Sequence, residues 1–367
     1  MADGCSLEDL VSPATWSGKR VLITGHTGFK GAWLSLWLHS LGARVIGLSL
    51  PAEEPSLFRQ ARIGDFVEHH EGDIRDMATV ERVMQAAQPE AVFHMAAQPI
   101  VRESYVTPVE TFATNVQGTV HVLDACRRVA GVRAIVCVTS DKCYENREWI
   151  WPYRETDPMG GHDPYSASKG AAELVAASYR RSFFHQDGSA LLASGRAGNV
   201  IGGGDWAADR LIPDIVRALI AGKDVDIRSP GSVRPWQHVL DALGGYVLLA
   251  GHLLKGDRRL ADGWNFGPAD SDARPVGWIV DRMLSAWGRG GWHLADSPEL
   301  HEAHLLRLDC SKARAELGWR PAWRLETTLE KIVEWHQAVA QGGDAFAVSM
   351  EQLTEFRAAY SAALKGS

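Results

Sequence analysis

Val21-Leu22-Ile23-Thr24-Gly25-His26-Thr27-Gly28-Phe29-Lys30-Gly31 is the stretch on which the fold turns. An apolar, branched run enters a turn punctuated by three glycines, and from Ala32 to Leu41 the apolar residues recur at helical spacing. After Gly42 a second apolar run follows, Arg44 to Leu50. Strand, glycine turn, helix and strand within about 30 residues make a β-α-β unit, which implies parallel strands and a right-handed crossover. Each glycine has a physical task in such a turn. One makes the turn tight, one lets the backbone approach a ligand, and one lets the helix pack close to the strand. The helix N-terminus then presents free N–H groups and a partial positive charge to an anion. In this context the pattern predicts a dinucleotide pyrophosphate site over Gly25, His26, Thr27, Gly28, Phe29, Lys30 and Gly31. His26 and Lys30 are placed to reach phosphate oxygens; solvated loop side chains are the plain alternative.

The alternation continues outward. Phe66–His70 reads as a short strand, Met77–Gln88 as a helix stopped by Pro89, and Ala91–Met95 as a buried strand. Val109–Val129 reads as a long helix, Ala134–Thr139 as a strand, Tyr165–Phe184 as a second long helix and Ala190–Arg196 as a strand. The expected class is α/β: a doubly wound parallel sheet, Rossmann-like, with a smaller C-terminal α/β substrate lobe. Residues 1–197 are expected to be mainly the dinucleotide-binding domain. Residues 198–367 are expected to be mainly the substrate lobe, with some segments returning to the first domain. Beyond Gly198 the pattern is interrupted by Gly202-Gly203-Gly204 and prolines. Helices are expected at Ile212–Ala221, Leu240–Leu254, Val276–Ala286 and Ser311–Leu317.

The chain has 367 residues, 46% hydrophobic and 23% charged, with net charge −7. That length supports a core without disulfide or metal staples, and that charge disfavours nucleic acid or an anionic membrane as partner. The five cysteines, Cys5, Cys126, Cys137, Cys143 and Cys310, form no C-x-x-C pair, so reduced thiols in the cytoplasm and no metal site are expected. No apolar run reaches membrane-spanning length, and Met1 to Leu10 lacks the basic start and apolar run of a secretion signal. The fourteen tryptophans are read as core packing plus a stacking surface or two.

Tyr165-Ser166-Ala167-Ser168-Lys169 sets two ionisable groups at i and i+4, on one helical face. A free phenol is too weakly acidic to serve as a base at neutral pH, and a neighbouring ammonium favours the phenolate. Such a pair exchanges a proton with a substrate hydroxyl during hydride transfer. Thr139, Ser140, Asp141 and Lys142 end the preceding strand, where ligands of an open parallel sheet sit. A hydroxyl there can bridge the tyrosine to substrate, and Asp141 can donate a proton to a leaving hydroxyl if burial raises its pKa. Asp141-Lys142 as a surface ion pair is the plain alternative. No acid stands at the end of the second strand to meet a ribose, Glu53 and Glu54 coming slightly late; no arginine stands there for a 2′-phosphate, so NAD is favoured over NADP. Asp73, followed by Ile74, is expected near the adenine; a helix cap at Asp73 or Asp76 is the alternative.

Together these residues resemble the extended short-chain dehydrogenase/reductase superfamily, from about Lys19 to beyond Asp241. The segments Gly25–Gly31, Thr139–Asn146 and Gly161–Lys169 further resemble the CDP-glucose 4,6-dehydratase family, with His26, Lys30 and Asp141-Lys142 before Cys143-Tyr144 as the more specific marks. Sister dehydratases carry Asp-Glu where Asp141-Lys142 stands. The resemblance implies an NAD-dependent hydro-lyase of deoxysugar biosynthesis for lipopolysaccharide O-antigen, acting on a CDP-sugar. The C4 carbon of CDP-glucose gives up hydride while Tyr165 accepts the hydroxyl proton. Water is lost across C5 and C6 with Asp141 protonating the leaving hydroxyl, and hydride returns to C6. A free lysine is protonated at neutral pH, so Lys142 is expected as base only if its surroundings favour the neutral amine, and otherwise as a positioning cation. By the same resemblance Ala96, Ala97 and Gln98 line the nicotinamide ribose, and Asn115 supports the active site. Asn199 and Arg234 hold the sugar diphosphate, Arg307 is a second contact, and Asp205 and Trp206 shape the substrate lobe. A homodimer through a four-helix bundle is implied, with Val122, Cys126, Val175 and Tyr179 on the joining faces. A 4-epimerase or reductase shares the turn, Tyr165 and Lys169 but has no need of an acid at Asp141; a non-catalytic dinucleotide sensor has no need of the pair.

Overall fold

The computed structural model describes residues 6–295 and 306–365, so Cys5 lies outside the described residues. Strands β1 (Arg20–Thr24), β2 (Arg44–Ser49), β3 (Glu68–Glu71), β4 (Ala91–His94), β5 (Ala134–Val138), β6 (Leu191–Arg196) and β7 (Gly263–Asn265) form one sheet in the order β7-β6-β5-β4-β1-β2-β3. Every pairing in it is parallel. The order reverses between β1 and β4, so a crevice opens beyond their carboxyl ends.

The longer helices are α1 (Phe29–Ser40), α2 (Met77–Ala87), α3 (Gly118–Arg128), α4 (Pro164–Ser182), α5 (Leu211–Ile220), α6 (Val239–Leu254), α7 (Val276–Trp287), α8 (Leu325–Ala340) and α9 (Ala345–Lys365). They cover both sheet faces, as the alternation within β1 requires. Val21 and Ile23 point into a core with α1, α6 and α9, while Leu22 points into a second core with α2, α3 and α4. A third core joins α5, α7 and α8 with two short strands, Val225–Ile227 and Trp292–Leu294. Segments beyond residue 198 thus both build the lobe and return to the sheet, as β7, α6 and α9 do.

The differences from the sequence reading have local causes. The helix expected over Val109–Val129 is broken by a π turn at Ala113–Gln117, flanked by Pro108–Phe112 and α3. β3 begins at Glu68 because Phe66 leaves the strand to pack on His39, with ring centroids 4.3 Å apart. The expected Ser311–Leu317 helix is largely a π turn, Ala313–Leu317, ended by Gly318 in the left-handed region. Gly202–Gly204 is a packing seam. Trp33 donates its indole N–H to the Gly203 carbonyl at 2.9 Å, and a Cβ on Gly203 would lie 2.2 Å from Trp335. Val122 and Cys126 are not on an exposed face: both are buried in the core of β4, β5 and α2, where their apolar side chains fill the seam between sheet and helix. Val175 and Tyr179 pack half-buried against the same core.

Four histidines are enclosed as neutral rings: His26, His94, His238 and His336, each pulled down to about 3 chiefly by burial. Among the described residues neither nitrogen of His336 has a partner to receive a proton. In the unfolded chain these rings protonate near pH 6.5. Below that pH the unfolded state binds more protons, so stability falls as pH falls. Asp241 acts oppositely, since burial raises it to about 7 and the folded chain takes up its proton first. Four histidines less one aspartate leave about three protons, a slope of at most about 4 kcal/mol per pH unit below pH 6.5. Urea unfolding at pH 7 and pH 5.5 is expected to show a steep loss of stability on acidification; a change under about 1 kcal/mol would contradict the neutral burial of these rings.

Candidate active site

The turn after β1 is closed by contacts that exclude side chains. Gly25 has φ +79°, and a Cβ on it would lie 2.7 Å from the Ala96 nitrogen; a Cβ on Gly31 would lie 2.2 Å from the Gly25 carbonyl. The chain leaving β4 therefore crosses directly over the turn. Helix α1 starts at Phe29 with Gly28 as N-cap and no side-chain cap, which leaves first-turn N–H groups for an anion. These donors and missing Cβ atoms fit a dinucleotide pyrophosphate. Thr27 ties the turn to the end of β2 by hydrogen bonds to Ser49 Oγ (2.7 Å) and the Leu50 carbonyl (3.1 Å). Phe29 packs on Gly202.

Two side chains of the turn depart from their expected phosphate contacts. His26 is fully buried beneath the turn, its Nε2 2.6 Å from His69 Nδ1 and its ring edge-on to Phe58. The ring fills the space above Gly47, where a Cβ would meet it at 2.2 Å. Lys30 faces the catalytic groups. Burial, with the charges of Arg210 and Lys169, draws its amine down to about 8 against the opposing pull of Asp141 and Asp205.

Asp73 is engaged by Arg75, whose Nε lies 2.8 Å from Oδ2 and which holds the carboxyl below its ordinary value. Asp76, not Asp73, caps α2. Ile74 is buried against Gly118. Ala96 N–H donates to Thr24 Oγ1 at 3.2 Å, and Ala97 follows it out of β4. Asn115 sits in the π turn and reaches two elements: its Oδ1 accepts from Gln98 N (2.8 Å), and its Nδ2 donates to Gln98 O (3.1 Å) and Ser168 Oγ (2.8 Å). The widened turn thus fastens the β4 loop to the catalytic helix, as π turns at functional sites often do.

At the mouth of β5, Ser140 caps a one-turn helix, Asp141–Cys143, by accepting from Lys142 N at 3.2 Å, and donates to Asp141 Oδ1 at 2.9 Å. Asp141 is buried against Gly198, where a Cβ would fall 1.9 Å from Oδ2. Lys142 is half-buried. Tyr165 and Lys169 are both buried on α4, the ammonium 6.0 Å from the ring centroid. The phenol is not lowered as expected. Burial pushes it up to about 12, and Asp141 and Asp163 add to the rise, while the Ser140 hydroxyl and Arg210 oppose it. Burial lowers Lys169 as well, countered by Cys137, Cys143 and Glu173.

Asp141, Gly198, Pro235, Gly267, Arg307 and Leu308 line one narrow cleft. Asn199 leaves β6 with φ +44°. Arg234 lies beside Pro235 in a short strand paired antiparallel to Ala273–Pro275. Arg307 is also fastened to the neighbouring loop through the Ile150 carbonyl, at 2.7 Å. Asp205 is buried and paired with Arg210 at 3.0 Å, and Trp206 donates to Gln60 Oε1 at 2.9 Å. Arg210, whose charge reaches Tyr165 and Lys30, was not singled out from the sequence, nor were Glu173 and Arg196, which form a buried ion pair at 2.8 Å behind the site. Only Glu173 left a signal, as a further i+4 step along the Tyr165–Lys169 face.

Residues 21–260 match the profile of the NAD dependent epimerase/dehydratase family. The chain is 53% identical to a CDP-glucose 4,6-dehydratase of Salmonella typhimurium over 94% of its length and 98% of the relative's. It is 30% identical to a UDP-glucose 4-epimerase of Mycolicibacterium smegmatis over 88% of its length and all of the relative's. Its fold is similar to that of a UDP-glucose-4-epimerase of Stenotrophomonas maltophila solved with NAD and formylated UDP-arabinopyranose, with TM-score 0.76 and 25% identity over 89% of this chain and 100% of that one. The chain belongs to the NAD-dependent epimerase/dehydratase family.

Proposed function

We propose that the chain is an NAD-dependent CDP-glucose 4,6-dehydratase, forming CDP-4-keto-6-deoxyglucose and water. The observation that carries the reading is the burial of Asp141 beside Ser140, at the strand end that faces Tyr165 and the substrate cleft. Epimerisation at C4 needs the tyrosine but no acid to expel a hydroxyl. The near-full-length similarity to the Salmonella dehydratase supports CDP-glucose as substrate.

NAD, when bound, supplies the hydride acceptor for C4 and the donor for C6, and its oxidised ring carries a positive charge that favours a phenolate nearby. The backbone of residues 25–31 would hold its pyrophosphate, with Ala96–Gln98 over the turn and Thr139 at the mouth of β5. Tyr165 accepts the C4 hydroxyl proton through the hydrogen bond with Ser140, and Asp141 delivers a proton to the C6 hydroxyl as it leaves. Asn199, Arg234 and Arg307 are assigned to the sugar diphosphate, for which guanidinium forks are suited. Residues 1–197 are assigned mainly to the dinucleotide and 198–367 mainly to the substrate.

Removal of the C5 proton falls to Lys142 in this reading, as base or positioning cation. Lys30 is another amine at the site, and at about 8 roughly a tenth of it is neutral at pH 7. Incubating the enzyme with CDP-, UDP-, dTDP- and GDP-glucose and following the 4-keto chromophore in alkali tests the assignment. A changed sugar stereocentre without that chromophore would sink it. Asp141→Asn is expected to lower kcat about 100-fold or more while C5 hydrogen still exchanges with solvent. Lys142→Ala is expected to abolish that exchange and Lys30→Met to spare it. Normal exchange in Lys142→Ala, with loss in Lys30→Met, would move the base role to Lys30.

The four described thiols are buried and free, which supports a reducing compartment, the cytoplasm. Deoxysugar supply for lipopolysaccharide O-antigen is the role proposed on the family resemblance. A homodimer is supported by an exposed apolar face. Val106, Val109 and Phe112 precede α3, and Leu174 projects from α4, which packs beside them. A twofold axis there would bring two helices from each subunit together. Sedimentation is expected to give a dimer at micromolar concentration and a monomer for Val109→Asp with Leu174→Asp; a monomeric parent protein would refute this interface.

A further inference from the structure

Behind the catalytic pair lies a polar network that the reaction scheme does not use. Tyr165, Lys169 and Glu173 follow one another at i, i+4 and i+8 on one face of α4, and all three are buried. Both Glu173 oxygens are engaged. Oε1 accepts from the Thr139 hydroxyl, and Oε2 accepts from Ser194 Oγ at 2.7 Å and Arg196 Nη2 at 2.8 Å. Arg196 is itself fixed. Its Nη1 donates to the Tyr144 hydroxyl (2.6 Å) and the Glu155 carbonyl (3.2 Å), and a Cβ on Gly263 would lie 2.4 Å from Nη2. Tyr144 in turn donates to Asn265 Oδ1 at 2.8 Å. One carboxylate therefore joins the catalytic helix to the mouth of β5 and to β6, and one guanidinium carries that junction to β7 and to the segment after Cys143. A buried ion pair is poor evidence for stability, because desolvation offsets its attraction. Its placement behind two catalytic side chains points to another role.

We propose that Glu173, locked by Arg196, is a positioning residue of the redox step: it holds Lys169 as the ammonium beside Tyr165 and fixes Thr139 at the mouth of β5. The proposal rests on the dehydratase reading. The groups acting on Lys169 are Cys137 from β5, Cys143 from the one-turn helix, and Glu173. Lys30 from α1 and His94 from β4 also lie in its field. Of these Glu173 is the carboxylate, and its charge offsets the burial that would otherwise neutralise the lysine. Arg196 keeps Glu173 ionised, together with the Thr139 and Ser194 hydroxyls. Tyr165 is faced by Ser140, Asp141, Arg210 and Asp163. A neutral Lys169 would leave its phenolate less favoured, so a higher pH would be needed to ionise it.

The direction of the effect can be read in the pH profile of kcat with CDP-glucose and NAD. Glu173→Gln removes the carboxylate and leaves Arg196 as an uncompensated buried cation. Its acidic limb is expected to move up by about one pH unit or more, with KM for the sugar nucleotide little changed. Glu173→Gln with Arg196→Met removes both charges, and its limb is expected to lie between those of the parent and the single variant. A merely structural pair would lower kcat at every pH and leave the limb in place, and that result in either variant would overturn the proposal. The double variant answers the question if the single one does not fold. A parent enzyme that forms no 4-keto product would fail the dehydratase reading instead, before any variant is compared.

Discussion

The site depends on a close approach of three backbone segments. Between Gly25, Gly31 and the chain leaving β4 there is no room for a side chain: the nearest backbone atoms lie 2.2 to 2.7 Å from where a Cβ would stand. That contact brings the open N-terminus of α1 under the crossing of β4, at the point where the strand order reverses. It also fixes the direction of every side chain on the turn. His26 is turned beneath it onto Gly47, Thr27 is tied to β2, Phe29 reaches the lobe at Gly202, and Lys30 is sent toward Asp141 and Lys169.

The electrostatics behind this geometry is a balance among buried charges. Lys30 lies in the field of Arg210, Lys169, Asp141 and Asp205, and burial penalises the charged forms of Lys30, Tyr165 and Lys169. Tyr165 at about 12 is a resting acid. Turning it into a base takes added positive charge, which an oxidised nicotinamide ring would supply when bound. Burial acts on both members of the pair, raising Tyr165 and lowering Lys169.

What was legible in the sequence was local. The turn at Gly25–Gly31, the i,i+4 pair at Tyr165 and Lys169, and the polar strand end at Ser140 each announce themselves within a few residues, and the alternation of strands and helices gave the sheet. What was hidden depends on partners far along the chain. His26 looked like a phosphate ligand because its companion His69 lies 43 residues on. Gly202–Gly204 looked like a flexible interruption because the tryptophans it seats, Trp33 and Trp335, come from α1 and α8. Val122 and Cys126 looked available for a dimer because helical spacing says which residues share a face but not which face the sheet covers. β7 escaped notice because three residues, Gly263–Asn265, are too few to show a period.

The same distance argument applies to Asp141, the residue proposed to expel the hydroxyl. Asp141 stands where it does because residue 198 has no side chain; a Cβ there would fall 1.9 Å from the carboxylate. The acid and its seat are 57 positions apart, just beyond the ends of adjacent strands β5 and β6, and parallel pairing in register brings those carboxyl ends together. Tyr165 needs no such arrangement, because its helix delivers it to the mouth of the crevice whatever follows β6. In this chain the carboxyl group at the end of β5 therefore depends on the space left at the end of β6, and any side chain at residue 198 would displace it.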